Sequence, residues 1–296
     1  MPIPVVDRVH AIGIRRDTYL DPTRPTSAAG SYPGAPSRTF PVTYWYPADG
    51  DANAAPAEDA PMDRRGGPYP LIVFAHGWAV PPEFFETILL RWAAAGYVVA
   101  APAYPLLSGI PAGPSHADYT LSFADTTFVL TQVLKDLGSG PGAHPLAGMV
   151  DAARVAAAGH SDGQAIAYGV GFLECCRDPR IKAVVAMAGD LGNINNPVQR
   201  GNDVPILHLI SERDEFNGYG STVRWDREVL TAPKWSVTLV NAPHTPPYVD
   251  TGSPYFDGVV TLTIDFLDAT LKSRPERLER IARFVETHSG FFRLET

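Results

Sequence analysis

The residues best suited to do chemistry in this chain are Ser161, Asp214 and His244. Ser161 lies in the run Gly159-His160-Ser161-Asp162-Gly163, after the apolar stretch Val155-Ala156-Ala157-Ala158 and before a stretch of helical character, 164–172. This is the G-x-S-x-G pattern between a strand and a helix, a setting in which a sharp turn lifts the serine hydroxyl above a sheet edge. Glycine suits both flanks, because a β-carbon there would crowd the turn. A serine hydroxyl is a poor nucleophile near neutral pH. It needs a base within hydrogen-bond reach, an acid that orients the base, and donors for the oxyanion. In a sheet of this kind the partners follow the serine in the order acid, then histidine, on loops that leave the strands.

The chain downstream of Ser161 supplies that order. Val204-Pro205-Ile206-Leu207-His208-Leu209-Ile210 reads as a buried strand, and Ser211-Glu212-Arg213-Asp214 follows it. Asp214 is the expected acid, with Glu212, Glu215 and Asp190 as competitors and a solvated turn carboxylate as the plain alternative. The next apolar strand, 235–240, leads to Asn241-Ala242-Pro243-His244, which makes His244 the expected base. An exposed loop histidine is the competing reading. Two backbone N–H groups are needed for the oxyanion. One comes from Asp162, at the start of its helix, where the helix dipole also favours negative charge. The other comes from the loop His76-Gly77-Trp78, with Trp78 as donor. Gly77 and Trp78 are the expected substrate-binding residues, the indole forming a wall of the acyl pocket. A carboxylate beside a developing oxyanion would repel it, so the Asp162 side chain is expected to point away or to pair with a cation. Tyr104, Phe216 and Tyr248 are further aromatic candidates for the cleft.

The remaining histidines fit structural roles. His76 and His160 belong to backbone-shaping motifs, and His208 sits inside a strand as a hydrogen-bonded core histidine. His10, His116, His144 and His288 form no spaced ligand set, so no metal and no cofactor is expected.

The elements that must position these residues are legible as a rhythm. An edge strand is expected at 9–16 and another strand at 39–46, separated by a Pro/Gly/Ser-rich loop; a second loose stretch covers 49–68. Short apolar runs at 71–75, 97–101, 154–158, 183–188, 205–210 and 236–240 then alternate with helical segments at 82–95, 119–137, 161–175 and 221–230. Two more helices are expected at 258–271 and 275–287. Continuous apolar strands separated by helices predict a mostly parallel sheet covered on both faces, here of about eight strands, in one domain spanning 1–296.

Composition bounds the function. The chain has 296 residues, 45% of them hydrophobic, and a net charge of -8, which argues against nucleic acid or an anionic membrane as the main partner. No apolar run approaches the roughly 20 residues of a membrane span. The first residues lack the basic start and apolar block of a secretory signal. The expectation is a cytoplasmic monomer or small homo-oligomer, or a secreted protein if an export signal precedes this chain. The two cysteines, Cys175 and Cys176, are adjacent. Disulfide geometry wants a larger Cα separation than neighbours provide, so they are expected to be unbridged fillers at a helix end.

These residues and their order resemble the α/β-hydrolase superfamily, and within it the dienelactone-hydrolase-like and platelet-activating-factor-acetylhydrolase-like serine esterases, which are similar to cutinase-type polyester hydrolases. The resemblance covers nearly the whole chain. It runs through Arg38-Thr39-Phe40-Pro41-Val42-Thr43-Tyr44-Trp45-Tyr46-Pro47, Tyr69-Pro70-Leu71-Ile72-Val73-Phe74-Ala75-His76-Gly77-Trp78 and Gly96-Tyr97-Val98-Val99-Ala100-Ala101-Pro102, and on to the closing helix near 266–272. It implies Ser161 as nucleophile, Asp214 as acid and His244 as base. Three departures matter. Gln164 stands where such proteins usually carry a further glycine. No aromatic follows the strand after the nucleophile helix, where Ala188-Gly189-Asp190-Leu191 stands, and the C-terminal disulfide of polyester hydrolases is absent. The last two argue against polymer hydrolysis. Dienelactone hydrolases proper use cysteine, so that activity is not implied.

The reading is a serine carboxylic-ester hydrolase working through an acyl-enzyme on small short- or medium-chain acyl or aryl esters. An acyltransferase or thioesterase would use the same triad, and a polyester hydrolase is a further alternative. A non-catalytic binding module would be expected to have lost a triad member. With no large insertion between the strand ending near Ala188 and the one starting near Val204, an open cleft without a lid is expected.

Overall fold

The structure, a computed structural model, describes residues 9–111, 113–138, 144–190, 202–228 and 232–295. In chain order the elements are β1 (Ala11–Asp21), β2 (Arg38–Ala48), β3 (Ala57–Glu58), β4 (Tyr69–Ala75), α1 (Glu86–Ala94), β5 (Val98–Pro102), α2 (Ser122–Leu137), β6 (Val150–His160), α3 (Asp162–Phe172), β7 (Ile181–Met187), β8 (Ile206–Ser211), α4 (Tyr219–Glu228), β9 (Lys234–Leu239), α5 (Pro246–Val249), α6 (Phe256–Leu271), α7 (Glu276–Thr287) and β10 (Phe292–Leu294).

All strands join one sheet in the order β10-β9-β8-β7-β6-β4-β5-β2-β1-β3. The block from β5 to β9 is parallel throughout. Antiparallel partners flank it on both sides: β2 runs against β5 and β10 against β9. Among the described residues the sheet has ten strands rather than about eight. The extra two are β3 and β10, edge strands of two and three residues, too short for any alternation to mark them. The β1 strand is longer than the sequence suggests, because it pairs with β2 along its full length, from Ala11 opposite Ala48 to Asp21 opposite Arg38.

The parallel strands are apolar on both faces because helices cover both. Leu71 and Val73 of β4 face one core layer with α2 and α3 residues such as Val129, Val133 and Ile166. Ile72 and Phe74 face the other, with Ile88 and Trp92 of α1 and Val259 and Leu262 of α6. Period-two side-chain alternation thus feeds two cores from one run of sequence. Among the described residues no helix is long and apolar enough to cross a membrane.

One local expectation is overturned. Cys175 and Cys176 form a disulfide across a Cα separation of 3.7 Å. They lie in the turn after α3, not in the helix, and that turn brings both Sγ atoms together. The helix they were expected to end stops at Phe172. The stretch between β7 and β8, which bears on the expected open cleft, lies partly outside the described residues (191–201).

Candidate active site

Ser161 occupies the turn between β6 and α3 with φ 58° and ψ -124°, a left-handed backbone that an ordinary residue adopts only under constraint. The constraint is close packing. A β-carbon on Gly159 would stand 2.0 Å from the Gly163 carbonyl oxygen, and one on Gly163 would stand 2.0 Å from that of Ala75. Both glycines are therefore required for α3 to start where it does. The Ser161 N–H donates to Met187 O at 2.9 Å, tying the turn to the end of β7.

The loop after β8 carries Asp214 and the loop after β9 carries His244. His244 Nδ1 donates to Asp214 Oδ2 at 2.7 Å. Both side chains are nearly buried, at 6% and 3% exposure, so the bond is shielded from water. Asp214 Oδ1 accepts the N–H groups of Phe216 and Asn217, both at 2.9 Å. Burial pushes the Asp214 carboxyl up, but the bond from His244 and the two backbone donors outweigh it and hold it below the usual carboxylate range. Of the four carboxylates considered, Asp214 is the one that meets His244 Nδ1. Glu212 instead accepts from Asn241 N–H at 2.8 Å and pairs with Arg293. Glu215 accepts the backbone N–H of His244 at 3.1 Å, a support that the sequence offers no sign of. Asn217 is another: its Nδ2 donates to Ala188 O at 3.0 Å and lies 3.5 Å from both Asp214 Oδ2 and His244 Nδ1.

His160 joins this pair to the serine turn. Its Nε2–H donates to the His244 carbonyl at 3.0 Å, and its ring centroid lies 4.6 Å from that of His244. Burial, joined by the neighbouring His244, lowers the His160 pKa to about 3, so His160 stays neutral. His76 is also buried and lowered to about 4. Its Nδ1–H donates to Gly77 O at 2.8 Å and its Nε2 accepts from Tyr104 N–H at 3.1 Å, which shapes the loop that carries Gly77 and Trp78. A β-carbon on Gly77 would lie 3.2 Å from Ser161 Cβ, so this loop passes directly beside the serine. Ser161 Oγ makes no hydrogen bond among the described residues, and neither do the backbone N–H groups of Trp78 and Asp162 as donors. The half-buried Ser161 thus sits beside two residues, Asp162 and Trp78 of the adjoining loop, whose N–H groups have no acceptor among the described residues.

The Asp162 carboxylate pairs with His116, Nε2 to Oδ2 at 2.7 Å. Of the aromatic cleft candidates, Trp78 is 38% exposed and Phe216 76%, the latter with its ring 5.0 Å from that of His244. Tyr104 and Tyr248 are fully buried and do not line a cleft. Their hydroxyls bond to Thr126 and Ser211, and each ring packs beneath a histidine. His208 is a buried core histidine bonded to Gln164 at 3.1 Å. Among the described residues no group of three or more His, Cys, Asp or Glu side chains is placed to hold a metal ion.

A parallel sheet wrapped by helices, with a strained serine where β6 turns into α3, defines the α/β-hydrolase fold. Comparison with known proteins agrees. Residues 60–193 match the model of the chlorophyllase family. The ferulic acid esterase from Streptomyces cinnamoneus superposes with a TM-score of 0.70 over 92% of this chain and 93% of that one, at 21% identity. No curated protein sequence matches. The structural likeness shows the α/β-hydrolase fold, and the family match supports a carboxylic-ester hydrolase.

Proposed function

We propose that this chain is a serine carboxylic-ester hydrolase in which Ser161, His244 and Asp214 form the catalytic triad. The observation that carries the reading is the shielded 2.7 Å bond from His244 Nδ1 to Asp214, on the loops beside the strained Ser161 turn. A proton held on Nδ1 leaves Nε2 as the basic nitrogen. His244 takes the Ser161 proton as Oγ attacks the acyl carbon, and Asp214 holds the tautomer and stabilises the imidazolium. The free N–H groups of Trp78 and Asp162 receive the oxyanion. His244 then protonates the leaving alcohol and activates the water that releases the acid. The serine–histidine bond, not made in the resting site, forms as substrate excludes water.

Exposed aromatic rings on two sides, Trp78 and Phe216, favour small aryl or short acyl esters. The similarity to a ferulic acid esterase, named for an aromatic acid, points the same way. The test is turnover of p-nitrophenyl acetate and p-nitrophenyl butyrate by the wild type and Ser161→Ala. Loss of at least a thousandfold in kcat in a variant with unchanged circular dichroism is expected. Equal turnover would end the proposal.

A further inference from the structure

We infer that His116 is a positioning residue of the oxyanion site, resting on the esterase reading above: its imidazole is stacked on Trp78 and hydrogen-bonded to Asp162, and so holds together the two residues whose N–H groups receive the oxyanion. His116 comes from the segment between β5 and α2, remote in sequence from both. Its ring lies 3.8 Å from the Trp78 ring at an interplanar angle of 25°, and its Nε2–H donates to Asp162 Oδ2 at 2.7 Å. Tyr119, from the same segment, adds a second hold: its hydroxyl donates to the Asp162 carbonyl at 3.0 Å, and its ring meets His116 edge-on.

The segment that delivers the imidazole is anchored from behind. Asp118 is buried and accepts from Arg38 Nη1 at 2.5 Å and from Ser27 N–H at 3.1 Å. Arg38 is fully buried and forms a two-pronged pair with Asp125 at the start of α2, at 2.9 and 2.6 Å. Tyr119 N–H donates to His116 O, and Ser115 N–H donates to Leu106 O. A side chain that reaches a site from a rigid support arrives pre-organised.

The bland account is an exposed ion pair that decorates the surface. The His116 side chain is 54% exposed, and such pairs add little to stability, so folding does not require this one. Catalysis does have a use for it. Asp162 places a carboxylate one residue from the nucleophile, where it opposes the charge that develops on the substrate oxygen. A donor on that carboxylate turns its lone pair away from the hole, and the stack on Trp78 fixes the opposite wall.

The experiment measures kcat and KM for p-nitrophenyl acetate in wild type, Ser161→Ala, His116→Ala and the double variant His116→Ala/Asp162→Asn, together with Ki for benzeneboronic acid, whose tetrahedral adduct mimics the oxyanion. We expect His116→Ala to lower kcat about tenfold with KM within twofold, a part of what a whole oxyanion donor contributes. The Ki of the boronic acid rises in step. The double variant recovers at least threefold over His116→Ala, because the uncovered carboxylate is gone; a merely structural histidine would not be rescued in this way. If Ser161-dependent turnover is present and His116→Ala keeps kcat within twofold, or the double variant is no faster than the single, the inference alone falls. If the wild type shows no Ser161-dependent turnover, the esterase reading falls and takes this inference with it.

Discussion

Gln164 and Gly189 exchange a pair of hydrogen bonds directly beneath the serine turn. Gln164 Oε1 accepts the Gly189 N–H at 2.7 Å, and Gln164 Nε2 donates to the Gly189 carbonyl at 3.0 Å and to His208 Nε2 at 3.1 Å. A β-carbon on Gly189 would stand 2.7 Å from both Gln164 Cβ and Ser161 O, so the two segments are as close as backbone allows. The Gln164 amide thus reproduces a strand-like pairing between α3 and the loop after β7.

Replacing Gln164 by glycine removes both partners of Gly189 and one of His208, all buried. A buried polar group left without its partner costs about 1–3 kcal/mol. Gln164→Gly should therefore lower unfolding stability in urea by about 2 kcal/mol or more and weaken ester turnover. Unchanged stability would show that the clamp is incidental.

Asp214→Asn should be well folded and nearly inactive. The amide keeps the shape but no longer selects the tautomer that leaves Nε2 basic. A drop in kcat of roughly 10⁴-fold with little change in KM is expected by analogy with the same substitution in another serine triad. A loss smaller than tenfold, measured on p-nitrophenyl butyrate, would remove Asp214 from the triad.

Acid should destabilise the fold through its buried histidines. His160 and His76 are held neutral by burial, lowered to about 3 and about 4. Unfolded histidine titrates near ~6.5. Below that pH the unfolded chain binds protons that the folded chain refuses, so stability falls as pH drops from about 6.5 toward 4. Asp265, which burial pushes up to about 7 against the pull of Arg277, works in the opposite direction across the same range. Two histidines against one aspartate leave a net loss of roughly 1 kcal/mol per pH unit. Urea unfolding should give a clearly lower stability at pH 5 than at pH 7; equal or higher stability at pH 5 would refute this balance.

The sheet and the serine turn are legible from sequence because short-range rules govern them. Two glycines around Ser161 report a steric limit within a few residues, and apolar runs report strands buried on both faces. Asp214 and His244 stand out because each follows such a run. His116, Glu215 and Asn217 carry no comparable mark. Their contacts join loops that meet only after the sheet has formed, and nothing in their neighbours announces it. Tyr104 and Tyr248 show the converse: loop positions near the strand ends suggest a cleft, yet the rings turn inward to hydroxyl partners in the core. The adjacent cysteines mislead for a third reason, since the usual Cα spacing argues against a bridge that the turn at 174–176 accommodates.

The most direct test of the account is covalent labelling with a fluorophosphonate followed by peptide mass spectrometry. One adduct is expected, on Ser161, formed rapidly by the wild type, absent in Ser161→Ala and slowed at least a hundredfold in His244→Ala. Failure of the folded wild type to label, or an adduct on any other side chain, would contradict it.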